Sequence, residues 1–244
     1  IYGTVYGLRK NKIGGKLYFL SDMGMVVGSG GVINAGALTL LHSGNTFASA
    51  EAAAQAITDN SWSLDSTASI DIHGRINTAT GIDLRAAYIN VTKANGSDIA
   101  PVLKTGVMLD TTVNTEGLVT DVSVKNERLT SSLDSKGNII IADPSNPTGT
   151  QGDAAVKGDG SIKLAAYSDS KNTNTEFLGV TSIKNTEEAK VEVGEGATLD
   201  ARGNVEISAE AKRLQRTKIT QFWDMVAFTK ADATVNGTVR GADV

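Results

Sequence analysis

The chain has 244 residues, of which 40 % are hydrophobic, 20 % charged and 5 % aromatic, with 26 glycines, three prolines and no cysteine. It is too apolar for intrinsic disorder, and it holds no run of the roughly 18 to 20 apolar residues a membrane helix needs, so stable membrane insertion is not expected. Without cysteine there is no disulfide framework, zinc–thiolate site or thiol nucleophile, and 23 basic against 27 acidic residues leave no basic footprint for nucleic acid.

In chain order, the segment 16–40 comes first. Tyr18-Phe19-Leu20 is an aromatic–apolar run, and Ser21-Asp22-Met23-Gly24 is a tight turn whose final glycine allows a left-handed residue. Met25-Val26-Val27, a glycine corner from Gly28 to Gly31, Val32-Ile33-Asn34 and an alternating strand from Ala35 to Leu40 follow. Taken alone, these residues predict one buried coil with a glycine corner. Phe47 to Ile57 is alanine-rich and predicts a short amphipathic helix inside an insert over 46–60, stopped by Asp59 and Asn60.

Period-two alternation then takes over at Ala68, Ile70, Ile72, Gly74 and Ile76, and again at Ile82, Leu84 and Ala86. Residues 92–138 are less regular, with Pro101 and pairs such as Val102-Leu103, and accommodate extra coils, a hairpin outside the coils, or both. Pro144 to Gly152 predicts a surface loop. From 154 to 244 the alternation returns, at Ala154 to Ala166, at Val191 to Ala211 and at Ala231 to Val239. Gly194, Gly196 and Gly203 cut the middle block into three strands, with Glu192, Thr198, Asp200, Glu206 and Ser208 directed outward. The last run stops in mid-pattern and the first residue is Ile1, so the chain is expected to be a piece of something longer.

Four positions share one kind of slot: Leu38, Ile82, Ile162 and Val205, separated by 44, 80 and 43 residues. Each separation is near a whole number of steps of roughly 20 to 22 residues, a solenoid-like period. Short strands, glycine and asparagine corners for left-handed positions, and small inward side chains ask for the same architecture. The expected fold is all-β, a right-handed parallel β-helix forming a single domain over 1–244, with a short extra-helical α-helix and loop or hairpin insertions. A β-sandwich would also supply alternating strands, but explains the recurring block less well.

Residues that could carry chemistry are sparse. His42 and His73 each stand alone, without further ligands at metal spacing, so no metal or cofactor is expected. Ser29, in Gly28-Ser29-Gly30, is not the nucleophile elbow of a hydrolase, and no Lys-Thr follows the glycines to make a phosphate cradle. Asp65, Asp71 and Asp83 with Arg75 and Arg85 form the one set that an enzyme acting on acidic polysaccharide would need on a single outer face. Outward charges on a solvated sheet explain them equally, and no enzymatic activity is expected. The basic cluster Lys212, Arg213, Arg216 and Lys218 is read as a solvated edge, and Lys157-Gly158-Asp159 as a turn. Three sequons begin at Asn90, Asn95 and Asn236.

The segment 16–40 resembles the secretion-domain motif of filamentous haemagglutinin-like exoproteins, the passengers of two-partner secretion. The matching slots are Tyr18, Phe19, Leu20, the turn Ser21, Asp22, Met23 and Gly24, the corner Gly28 to Gly31, and Ile33-Asn34. The turn departs from the family's common Asn-Pro-Asn-Gly, which points to a divergent branch similar to leukotoxin-like filamentous adhesins. The resemblance implies secretion to the surface of a Gram-negative bacterium through an outer-membrane transporter, with the first coils templating the rest. It also implies a host or bacterial surface ligand. A stalk of a contact-dependent toxin is the other member of this class.

Overall fold

A computed structural model describes residues 1–9, 12–21, 23–42, 47–59, 69–116, 118–128, 130–133, 139–143, 146–150, 160–169, 174–177, 180–183, 186–212 and 228–244. The chain opens with β1 (Thr4–Tyr6) and a small antiparallel hairpin of β2 (Leu8–Arg9) and β3 (Lys12–Ile13). It then visits three parallel sheets in rotation. β4 (Lys16–Ser21) lies in a first sheet, β5 (Met25–Val27) in a second and β6 (Val32–Ala35) in a third, and β7 (Ala37–His42) returns to the first. After α1 (Ala50–Thr58), β8 (Ser69–Ile72), β9 (Arg75–Thr78) and β10 (Gly81–Ala86) occupy the second, third and first sheets. β11 (Tyr88–Val91) and β12 (Val102–Thr105) extend the second and third.

Antiparallel pieces interrupt the rotation: β13 (Val107–Val113) with β14 (Val119–Arg128), then β15 (Thr130–Leu133), β16 (Ile139–Asp143) and β17 (Asn146–Thr150). β18 (Ser161–Asp169) rejoins the first sheet, and a hairpin of β19 (Asn174–Phe177) and β20 (Val180–Ile183) follows. β21 (Thr186–Val193), β22 (Thr198–Asp200), β23 (Val205–Lys212), β24 (Phe228–Val235) and β25 (Thr238–Arg240) complete the rotation as second, third, first, second and third. The chain is therefore all-β with one short helix among the described residues. α1 starts three residues later than the alanine run predicts, because Ser49 caps it by accepting the Ala52 N–H at 3.2 Å.

Alternation sorts the side chains as the sequence implies. Leu17, Leu38, Ile82, Ile162 and Val205 form one column on the first sheet. Met25, Ile70, Ile89, Val191 and Ala233 form one on the second, and Ile33, Ile76, Leu103, Leu199 and Val239 one on the third. All three columns contribute to one continuous apolar core. Each fully buried Leu or Ile in it contributes roughly 1.5–3 kcal/mol by leaving water. Main-chain bonds continue around the corners: Arg75 N–H donates to Gly31 O, Val102 N–H to Gly74 O, Thr198 N–H to Pro101 O and Thr238 N–H to Ala197 O.

Several expectations need correction. The separations of 44, 80 and 43 residues are not two or four repeats: β7, β10, β18 and β23 are hydrogen-bonded neighbours, so each interval is one circuit plus an insertion. The insertions contain α1, the strands β13 to β17, and β19–β20. Within 92–138, where the sequence accommodates extra coils, a hairpin or both, the chain holds a strand of the third sheet, β12, and an antiparallel hairpin. The loop expected over Pro144–Gly152 contains β17, because β16 offers a free edge that outweighs the turn-forming composition of Asn146–Thr150. Asn60, Asp65, Ala68, the run 154–159, Lys157-Gly158-Asp159 and the basic residues Arg213 to Lys218 lie outside the described residues.

Candidate functional site: the first full circuit

The segment singled out at 16–40, extended to His42, makes one full circuit through the three sheets. β4 and β7, its two ends, pair in parallel from Lys16↔Ala37 to Ser21↔His42. On β4, Leu17 and Phe19 pack against the core, while the alternate residue Tyr18 faces out, 43 % exposed. Leu20 shares the outward row with Leu41, and Leu41 is buried. The turn is held by the Ser21 hydroxyl, which donates to Gly24 O at 2.6 Å and accepts the Met23 N–H at 3.2 Å. Gly24 takes φ +89°, the left-handed geometry its position predicts. Asp22 lies outside the described residues, and Met23 projects into solvent. The Ser21 side chain thus bridges the two ends of the turn through its hydroxyl.

The corner Gly28–Gly31 is closed by Gly31 N–H donating to Gly28 O at 2.7 Å. Its glycines are not in the left-handed region, contrary to expectation; space is what Gly28 and Gly31 supply. A Cβ on Gly28 would enter the ring of Tyr2, and one on Gly31 would lie 2.6 Å from Ile1 O. In the next circuit a Cβ on Gly74 would collide with the carbonyl oxygens of both Gly31 and Gly28. The corner is stacked directly on its successor, backbone against backbone.

Asn34 has a role that composition alone did not disclose. It is buried, and its side-chain oxygen accepts from Asn77 Nδ2 at 2.9 Å across neighbouring strands. Tyr6, Asn34, Asn77 and Lys104 form one column on the third sheet. A satellite core of Ile13, Val107 and Leu109, with Tyr6 packed on it, lies outside the main one, and β13 touches both β3 and β9. Thr111 Oγ1 accepts the Ile13 N–H at 3.1 Å, so the first hairpin and the insertion after β12 are bound together. The repeated dipeptide Ile33-Asn34 and Ile76-Asn77 is the sequence signal for the amide pair. Replacing Asn34 by Ala should lower stability by about 1–3 kcal/mol, because Asn77 keeps a buried donor without its partner. A double-mutant cycle in denaturant with Asn77→Ala should return a coupling near 1 kcal/mol; strictly additive losses would rule the pairing out.

Outside the core, the first and second sheets present compensated charge. Arg85 grips Asp83 with Nε at 2.9 Å and Nη2 at 2.6 Å, and this bond raises the guanidinium pKa further while its partial burial opposes the rise. Lys163 meets Glu206 at 2.9 Å, and Lys190 meets Glu192 at 2.6 Å, which lifts the lysine pKa. At the start of α1 the Glu51 carboxyl is lowered by its own backbone N–H and by Ser49. Asp71 accepts from Ser69 and Asn90. These partly exposed pairs are each worth no more than about 1 kcal/mol.

The carboxylates and arginines that a polysaccharide-acting enzyme would need are not gathered on one sheet. Asp71 is on the second, Arg75 on the third, and Asp83 and Arg85 on the first. His73 sits at a corner with Nδ1 2.7 Å from Thr92 O, where the Nδ1–H donates to the carbonyl, and His42 is the last residue of β7. Ser29 occupies the glycine corner. Among the described residues no three metal-ligating side chains converge, and no helix is long and apolar enough to cross a membrane. Comparison with family models, curated proteins and solved structures finds no match to this chain.

Proposed function

We propose that this chain is a secreted, cell-surface filamentous adhesin or exoprotein segment, built as a right-handed parallel β-helix. Its first circuit acts in outer-membrane secretion and templates the coils that follow. The observation carrying this reading is the placement of 16–42, which contains the segment 16–40 where the family resemblance lies. It closes one circuit and offers a strand edge in each sheet, onto which β10, β8 and β9 pair residue for residue. Each further circuit then needs only the one before it, a nearly one-dimensional growth. A chain leaving a transporter could fold coil by coil outside, and that folding would bias movement outward without ATP. Lack of cysteine suits a chain that crosses an oxidising periplasm unfolded.

The test is export from a Gram-negative host that co-expresses an outer-membrane transporter of the two-partner type. Gly24→Val and Asn34→Ala should reduce the exported amount several-fold, whereas Thr198→Ala, far along the stack, should export as the unaltered chain does. Unreduced export of both motif variants would overturn the assignment of secretion to this circuit.

A further inference from the structure

The chain contains two Asn-Gly pairs, Asn95-Gly96 and Asn236-Gly237, whose asparagines are both exposed and whose main chains are held differently. In Asn-Gly the next backbone nitrogen reaches the side-chain amide most freely, since glycine adds no Cβ to obstruct it. Asn95 and Gly96 are both exposed, Gly96 has φ +74°, and a Cβ there would meet nothing within 4 Å. The turn is closed by Ser97 N–H donating to Ala94 O at 3.0 Å. Neither the Asn95 amide nor the Gly96 N–H has a hydrogen-bond partner among the described residues.

The corner at Asn236 is equally exposed but tethered on both sides of the pair. Asn236 N–H donates to Val193 O at 2.7 Å and Thr238 N–H to Ala197 O at 2.8 Å. A Cβ on Gly237 would lie 2.6 Å from Ala197 O and 2.9 Å from Val193 Cγ1. Rotating this backbone breaks two rungs of the corner ladder. Asn34, Asn77 and Asn90 have bonded amides and are followed by Ala, Thr and Val.

We propose that Asn95 is a site of spontaneous deamidation on the folded surface, and that the stack protects Asn236. The Gly96 nitrogen, having lost its proton to hydroxide, bonds to Asn95 Cγ. The Cγ–Nδ2 bond breaks and ammonia leaves, carrying a proton from solvent, so that a five-membered succinimide remains. Water then opens the ring. Attack at Cγ gives aspartate, and attack at the main-chain carbonyl carbon gives isoaspartate, with one extra methylene in the backbone. No electrons are exchanged with any other reactant. Either product places a new carboxylate two residues from Lys93, in the corner between β11 and β12, and removes the sequon that begins at Asn95. The change is one-way, so the fraction altered records the time since synthesis.

Peptide mapping by mass spectrometry after incubation at mildly alkaline pH, folded and in concentrated urea, tests this. In urea the two sites should react at similar rates. In the folded chain Asn95 should keep its urea rate, while Asn236 slows by about tenfold or more, because it reacts only after local opening. The Asn95 rate should also rise with pH, and Asn95→Gln should abolish the altered peptide. Protection of Asn95 to the same degree as Asn236, or equal reaction of both in the folded chain, would overturn the proposal.

Discussion

Gly74→Ala should unfold this protein at markedly lower urea than any methyl addition on its surface, with a loss of about 3 kcal/mol or more. The added carbon would be driven into the carbonyl oxygens of Gly31 and Gly28, which are backbone atoms of the preceding circuit rather than the tips of mobile side chains. Gly31 cannot retreat freely, because its oxygen accepts the Arg75 N–H at 2.9 Å. Relief therefore means breaking the ladder or prising two circuits apart. Gly30→Ala is the matched control two residues along the chain from Gly28. The nearest atom to its new carbon is Tyr2 O at 3.7 Å, an ordinary contact, so it should change stability by no more than about 0.5 kcal/mol. Equal urea midpoints for the two variants would show that the corners are not stacked as closely as described.

Leu84→Ala should cost about 2–5 kcal/mol, the range for a fully enclosed leucine whose surroundings cannot collapse. Leu84 is 0 % exposed and sits between Leu40 and Leu164 in the first sheet, with strands on both sides. Val235 belongs to the same kind of inward row on the second sheet, following Val27, Ile72, Val91 and Val193. It is nevertheless 44 % exposed, because β24 is the outermost strand of its sheet. Val235→Ala should therefore cost less than about 1 kcal/mol. Calorimetry on both variants checks the contrast, and comparable losses would mean that place along the stack does not govern the strength of the interior.

Alternation made the strands readable. Leu38, Ile82, Ile162 and Val205 share a column, as their common slot in the alternation implies, and the strand breaks at Gly194 and Gly203 fall where glycine predicts. The helix was legible because a run of alanines has one strong local preference and Ser49 supplies its cap. What composition could not reveal depends on pairing at a distance. Ile13, Val107 and Leu109 meet across more than 90 residues, and none of them stands out in its own segment. The amide pair of Asn34 and Asn77 becomes visible only when two circuits are aligned, and that alignment was obscured by the insertions between them. The first circuit itself was readable as a buried turn of chain. Gly24 takes the left-handed φ expected of it, but the corner glycines Gly28 and Gly31 do not, because a residue letter does not distinguish a need for unusual φ from a need for room.

The pairing of β10 with β18 runs residue for residue from Gly81↔Ser161 to Ala86↔Ala166, although seven other strands lie between them in sequence. The entropy of closing a longer excursion grows only with the logarithm of its length, about 0.6 kcal/mol for each doubling. The frame therefore keeps its place regardless of how much chain is looped out at an interval, provided the return strand carries the inward pattern. Inserts of this kind are free to lengthen, shorten or be exchanged between related chains without rewriting the columns beneath them. Inheritance would then act on two separate texts, a conservative one that counts positions and a variable one that is hung from it.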